Sequence, residues 1–225
     1  MPGARPTQAR DAARPADPAR LLDTLDDALP QTQCTRCGYA DCRAYARAMA
    51  HEGEAINRCP PGGAEGIVRL ARITARDVLE LDPGCGREEP RRVAWIDETA
   101  CIGCTLCLQA CPVDSIAGAP RRMHAVIADW CTGCELCVAP CPTDCIHMRP
   151  VAGLEQATGW QAWSPLQADL ARARHLARRR RIEAEAQTPA AGPAESPQAA
   201  DEQARRRQRV HAALERARAR QAARA

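Results

Sequence analysis

Residues 101–116 read CIGCTLCLQACPVDSI, and thirty residues later, at 131–146, the chain reads CTGCELCVAPCPTDCI. Cys101, Cys104, Cys107, Cys111, Pro112, Asp114 and Ile116 thus have Cys131, Cys134, Cys137, Cys141, Pro142, Asp144 and Ile146 as counterparts. A period this regular marks a duplicated unit, and a unit of that length cannot bury a core of its own. The two copies must be held together by each other and by what their cysteines bind. Short apolar runs precede each copy, at 93–96 and 125–128, and suit strands; the residues around the third and fourth cysteines leave room for a turn or two of helix. Gly103 and Gly133 have no Cβ to obstruct a backbone that curls around three cysteines spaced i, i+3, i+6.

The spacing C-x2-C-x2-C-x3-C-P is the signature of bacterial two-cluster ferredoxins, in which the fourth cysteine of each run serves the other cluster. Mapped onto this chain, cluster I takes Cys101, Cys104, Cys107 and Cys141, and cluster II takes Cys131, Cys134, Cys137 and Cys111. Zinc is the alternative, but it favours two separated cysteine pairs around a tetrahedron, which two runs of three do not offer.

The rest of the composition points the same way. The 225 residues include fourteen cysteines, no Phe and two Tyr, so packing of large side chains alone will not hold the fold. The N-terminal MPGARPTQARDAARPADPAR has no apolar stretch for export, so the cysteines are expected in a reducing cytosol, where metal or cluster ligation is their usual use. No run of about 18–20 apolar residues occurs, and no transmembrane helix is expected. Residues 1–163 hold 17 Arg against 21 acidic residues, whereas residues 164–225 hold 14 Arg against 7. An acidic body therefore carries a basic tail, and loading with clusters would bring the body to about −10.

Outward from the repeat, residues 1–20 have the Ala/Pro/Arg/Asp composition of a disordered segment. A module over 21–82 begins with a short acidic helix at 21–29 and continues into a cysteine group, Cys34, Cys37, Cys42 and Cys59. By spacing alone that group suits zinc or a cluster equally. An amphipathic helix is expected over 63–81, ended by Pro83 and Gly84. Residues 83–92 read as a linker, 93–151 as the two-cluster module and 152–225 as an Arg/Ala-rich tail with a helix from Leu166 to about Ala186. Cys85 and Cys145 read as spare, His51, His124 and His147 lack spacing for metal or acid–base duty, and Trp95 and Trp130 suit shielding of the cysteine loops.

Nucleotide fingerprints, nucleophile elbows, phosphate loops and zinc-protease helices are all missing, so substrate chemistry is expected on partners. Taken together, LPQTQCTRCGYADCRAYARAM, INRCPPGG, IDETACIGCTLCLQACPVDSI and WCTGCELCVAPCPTDCI resemble the B subunit of the Rnf/Rsx-type electron transport complex over about Leu21–Val151. The resemblance implies a [4Fe-4S] cluster on Cys34, Cys37, Cys42 and Cys59, hence three [4Fe-4S] clusters in all. It also implies an electron-relay subunit on the cytoplasmic side of the inner membrane, with other complex subunits, and ferredoxins or flavoproteins, as partners. The family's apolar N-terminal anchor has no counterpart in residues 1–20, so peripheral attachment is expected. The expected fold is α+β: a helical four-cysteine module, a ferredoxin-like module and an Arg-rich tail. The rival readings are a soluble polyferredoxin, and a protein whose Arg-rich tail binds nucleic acid or anionic membrane.

Overall fold

The computed structural model describes residues 18–187, together with Arg205 and Gln208. Of the disorder expected for residues 1–20, residues 1–17 lie outside the described residues, as does most of the Arg/Ala-rich tail beyond residue 187. The chain divides at Arg180 into two units, and the first contains both cysteine modules. Of the second, the described residues 181–187 complete a helix in which Arg181 and Glu185 pair at i, i+4.

Helix α1, Pro18–Asp27, starts three residues before the expected boundary, so residues 18–20 are helical. Leu21, Leu25 and Leu29 lie along one buried side. Helix α2, Cys42–Arg47, is capped by Asp41, whose side chain accepts from the Ala44 N–H, and runs into a wider π turn over Ala48–Glu52. Helix α3, Gly63–Thr74, is shorter than the periodicity predicts. It ends where Ala75 adopts φ 52° and donates its N–H to Ala71 O. Val78, expected on the buried stripe, is exposed. The three helices enclose one core of Leu25, Leu29, Tyr45, Met49, Ile56, Ile67 and Leu70. Each such side chain contributes about 1.5–3 kcal/mol on burial.

The duplicated unit forms two small antiparallel sheets. Strand β1, Arg92–Ile96, pairs with β4, Ile146–Pro150, from Arg92↔Pro150 to Ile96↔Ile146. Between them lie helix α4, Leu106–Ala110, and the short pair β2, Ile116–Ala117, and β3, Ala125–Val126. Only the first copy forms a helix between its third and fourth cysteines; the second makes turns there. The backbone nonetheless repeats closely. Gly103 and Gly133 both have φ 69°, Thr105 and Glu135 have 67° and 65°, and Asp114 and Asp144 both have 50°. A Cβ at Gly103 would strike the backbone of Arg122, and one at Gly133 would strike Arg92 O.

The expected boundary between 151 and 152 is not a boundary of the structure. A turn at Gly159–Ala162 buries Trp160 and Trp163, and helix α5, Pro165–Gln187, follows. Trp160 Nε1 donates to Ala28 O at 3.1 Å, and the Arg69 guanidinium lies 4.0 Å from the centre of its ring. Along α5, Arg172 reaches Asp27 at 2.6 Å, Arg178 reaches Asp114 at 2.7 Å and Arg179 reaches Asp41 at 3.0 Å. The first part of the tail is thus strapped across both modules by its charge. The expected linker is also packed: Glu88 accepts from Ala64 N–H and from the Thr158 hydroxyl, and Cys85 is buried.

Candidate metal centres

In the duplicated unit the structure gathers the cysteines crosswise. One cavity is lined by Cys101, Cys104, Cys107 and Cys141, with Cys145 beside them. A second is lined by Cys131, Cys134, Cys137 and Cys111. The glycine turns curl each three-cysteine run around its cavity, while the fourth cysteine arrives from the other copy through the Cys-Pro segment. Burial raises the Cys107 thiol to about 11 and the Cys134 and Cys137 thiols to about 12. Thiols so desolvated give up their protons only to a cationic core that takes the proton's place.

Several groups hold the sulfurs from behind. His124, buried beneath Gly118, places Nδ1 3.2 Å from Cys107 Sγ. Ala94 N–H donates to Cys131 Sγ at 3.4 Å, and Arg91 donates to Cys131 O at 3.0 Å. Ser115 lies against Cys111, with both its N and its Oγ 3.2 Å from Sγ. Its repeat partner, Cys145, lies against Cys141 at 3.5 Å between sulfurs. Burial works against ionisation of Cys141, but the N–H groups of Thr143 and Cys145 and the Cys145 thiol outweigh it and hold Cys141 below the ordinary value. Cys145 moves the other way, raised chiefly by burial and also by Cys141 itself, against the lowering effect of the Thr143 hydroxyl.

The N-terminal group is assembled differently. Gln31, Gln33 and Thr35 are all left-handed, with φ 57°, 54° and 59°, and they curl the chain at Cys34. Non-glycine residues at such angles cost roughly 1–3 kcal/mol each and persist only where the surroundings enforce them. Here the buried glutamines do so. Gln31 Nε2 donates to Asp26 O at 2.7 Å, Gln33 Nε2 to Gln31 Oε1 at 2.8 Å, and Cys42 N–H to Gln33 Oε1 at 2.9 Å. The Tyr45 hydroxyl donates to Ala55 O and accepts from Arg58 N–H, which positions the residue before Cys59. Burial first, then the neighbouring Cys59, Cys34 and Cys37 thiols, raise the Cys42 thiol, so the four sulfurs share one neighbourhood.

Three residues read as idle or structural in the sequence lie at these sites. Cys85 is buried close enough to Cys37 and Cys59 to act on both electrostatically, and it stands beside Arg58 and Asp82. Its turn, Pro83–Cys85, is invisible in a segment whose charge suggests a linker. Cys145 and His124 contact the sulfurs of Cys141 and Cys107, the first foreshadowed only by its place in the repeat. The tryptophans exchange roles: Trp95 and Trp130 are partly exposed under Arg149 and Arg174, whereas Trp160 and Trp163 are buried.

Among the described residues, no three His, Cys, Asp or Glu side chains converge closely enough to hold a single metal ion. Zinc would draw its sulfurs to about 2.3 Å from one point. A cubane instead gives each of its four irons a separate thiolate, so the sulfurs stand apart around a cavity. The two crossed donor sets of the duplicated unit fit the cubane.

Cavities lined crosswise by the cysteines of both copies of a duplicated unit define an iron–sulfur protein of the two-cluster ferredoxin class, and the family model "4Fe-4S dicluster domain" matches residues 94–148. A second model, "Putative Fe-S cluster", matches residues 29–61. The chain is 57% identical over 142 residues to the B subunit of the ion-translocating oxidoreductase complex of Azoarcus sp., a match covering 63% of this chain and 77% of that one. It is 54% identical to the proteins of the same name from Erwinia tasmaniensis, over 59% of this chain and 69% of the relative, and Alcanivorax borkumensis, over 63% and 73%. No solved structure matches it. The chain belongs to the family of B subunits of the ion-translocating oxidoreductase complex.

Proposed function

We propose that this chain is an electron-relaying subunit of an Rnf-type oxidoreductase complex, carrying three [4Fe-4S] clusters. Cys34, Cys37, Cys42 and Cys59 hold the N-terminal cluster; Cys101, Cys104, Cys107 and Cys141 hold cluster I; Cys131, Cys134, Cys137 and Cys111 hold cluster II. The observation that carries the reading is that each of two cavities is lined by the first three cysteines of one copy and the fourth of the other. The clusters supply one-electron steps. The chain's own residues keep water from the sulfurs, present N–H and O–H donors to them and hold the modules in contact. That contact is direct: the buried Thr132 hydroxyl donates to Thr32 O at 2.9 Å and Arg36 pairs with Glu135 at 2.9 Å. It brings the loop of Cys34 against the loop of Cys134, the short path a relay requires.

Association with the cytoplasmic face of the inner membrane is peripheral in this reading, through the other subunits of the complex, with ferredoxin or flavoprotein carriers as electron partners. No helix among the described residues is long and apolar enough to cross a membrane. A nucleic-acid role for the tail is disfavoured by the pairing of Arg172, Arg178 and Arg179 with acidic residues of the same unit.

Anaerobically prepared protein should contain about twelve iron and twelve sulfide per chain, four of each per cubane. About eight of each with one zinc would overturn the N-terminal assignment. Expressed with its complex, the chain should sediment with membranes and be released by high salt or alkaline carbonate; recovery only with detergent would reject peripheral attachment.

A further inference from the structure

The two copies of the duplicated unit differ at several positions around the crossing cysteines, and one of them, four residues further on, touches the cysteine sulfur in both. Ser115 Oγ lies 3.2 Å from Cys111 Sγ; thirty residues on, Cys145 Sγ lies 3.5 Å from Cys141 Sγ. Both side chains are buried, 3% and 4% exposed, so neither is diverted to water. Each follows its cysteine by four residues, and the backbone between is the same in both copies, with Asp114 and Asp144 at φ 50°. The geometry is thus held constant while the donor changes from O–H to S–H.

We propose that Ser115 and Cys145 are a matched pair of positioning donors that set the reduction potentials of clusters II and I apart, the serine raising the potential of cluster II more than the cysteine raises that of cluster I. The inference rests on the relay reading above and adds to it a residue-level cause for an energetic difference between the clusters. Reduction places an additional electron on the iron–sulfur core, and the ligand sulfurs carry part of its charge. A donor aimed at such a sulfur stabilises the reduced form more than the oxidised one and so raises the potential. A hydroxyl is a full donor, whereas a thiol is a weak one and its hydrogen bond to sulfur is longer. The two donors act on cysteines that the duplication sends to opposite clusters, so each tunes the cluster whose other three ligands belong to the opposite copy. Two further groups act on cluster I independently and stay the same when the pair is exchanged: His124 against Cys107, and the Thr143 hydroxyl 3.7 Å from Cys141 Sγ, where the first copy has Val113.

The test is an EPR-monitored redox titration of anaerobic, cluster-loaded full-length protein and of three variants: Ser115→Cys, Cys145→Ser and the double exchange. Serine and cysteine are close in volume, so the fold should tolerate each change. Ser115→Cys should lower one midpoint, Cys145→Ser should raise the other, and the double exchange should move the two in opposite directions, with iron content unchanged. Ser115→Ala is the check on an unwanted fifth ligand, since it removes the donor without offering a sulfur, and it should lower the same midpoint further. Unmoved midpoints in fully loaded variants, or both single exchanges moving the same signal, would overturn the donor pair and leave the relay standing. Wild-type protein that loads fewer than two clusters in the duplicated unit would overturn the relay reading and the pair with it.

Discussion

The N-terminal module and the duplicated unit both gather four-cysteine sets, but they surround them with different material. In the N-terminal core only two of thirteen buried residues, Cys42 and Cys59, are cysteines, and helices α1, α2 and α3 pack through Leu, Ile, Met and Tyr. In the duplicated unit six of eleven are cysteines, among them Cys107, Cys111, Cys131 and Cys141. One module has a hydrophobic core that carries a site. The other has a site that serves as its core, with strands of five and two residues that are too short to be stable by pairing alone.

The largest consequence concerns removal of iron. With its thiols reprotonated and no inorganic core to tie them, the duplicated unit should lose its order while α1–α3 keep theirs. Hydrogen exchange on iron-free protein should show protection lost across 92–150 and retained across 21–74. Equal loss in both would break the comparison.

Next comes the crossing itself. Cys111→Ser should damage cluster II, whose other ligands lie twenty or more residues away, while cluster I survives at first. Iron content near eight per chain, four less than a full complement of about twelve, with one ferredoxin-type EPR signal gone is the expected result. Loss of the signal that Cys104→Ser removes would show that the fourth ligands do not cross.

A smaller effect sharpens the difference from the side of packing. Trp160 is buried against Gly66 and Ala28, so Trp160→Ala should cost about 3–5 kcal/mol, felt in the N-terminal module and read from urea unfolding by far-UV CD. The EPR signals of clusters I and II should be unchanged.

The smallest effect is one of pH. The His175 ring, the Ala44 N–H and the Arg179 guanidinium outweigh burial and hold the Asp41 carboxyl at about 2. Because that value lies below the unfolded value of about 3.9, the contribution of Asp41 is complete above that pH and is lost as the pH falls toward 2. Asp41→Asn should therefore flatten the acid limb of the unfolding curve between pH 4 and 2, and an unchanged slope would remove Asp41 from the account of how α5 is fastened.

Whatever depends on neighbours in the chain is legible in the sequence. The thirty-residue period, the glycine turns, strand β1 and the grouping of each fourth cysteine with the other copy's first three all follow from local spacing. The periodicity overextends helix α3 because Ile67, Leu70 and Leu81 are in phase, while the left-handed Ala75 that ends it is an alanine with no signal of its own. Its geometry is stabilised by tertiary contacts, including Arg76 reaching back to Glu54 O at 2.6 Å.

The sequence by itself determined that this is a cysteine-rich electron-transfer chain with a duplicated cluster unit, because ligand spacing within a run of a dozen residues is a local property. Only the tertiary structure decided what each remaining group does. Cys145 touches Cys141, His124 touches Cys107, Cys85 joins the N-terminal thiols, and α5 ties Asp27, Asp41 and Asp114 together. These partners are joined by packing and charge between segments up to about 145 residues apart, and no pattern along one stretch of chain records which carboxylate an arginine will meet.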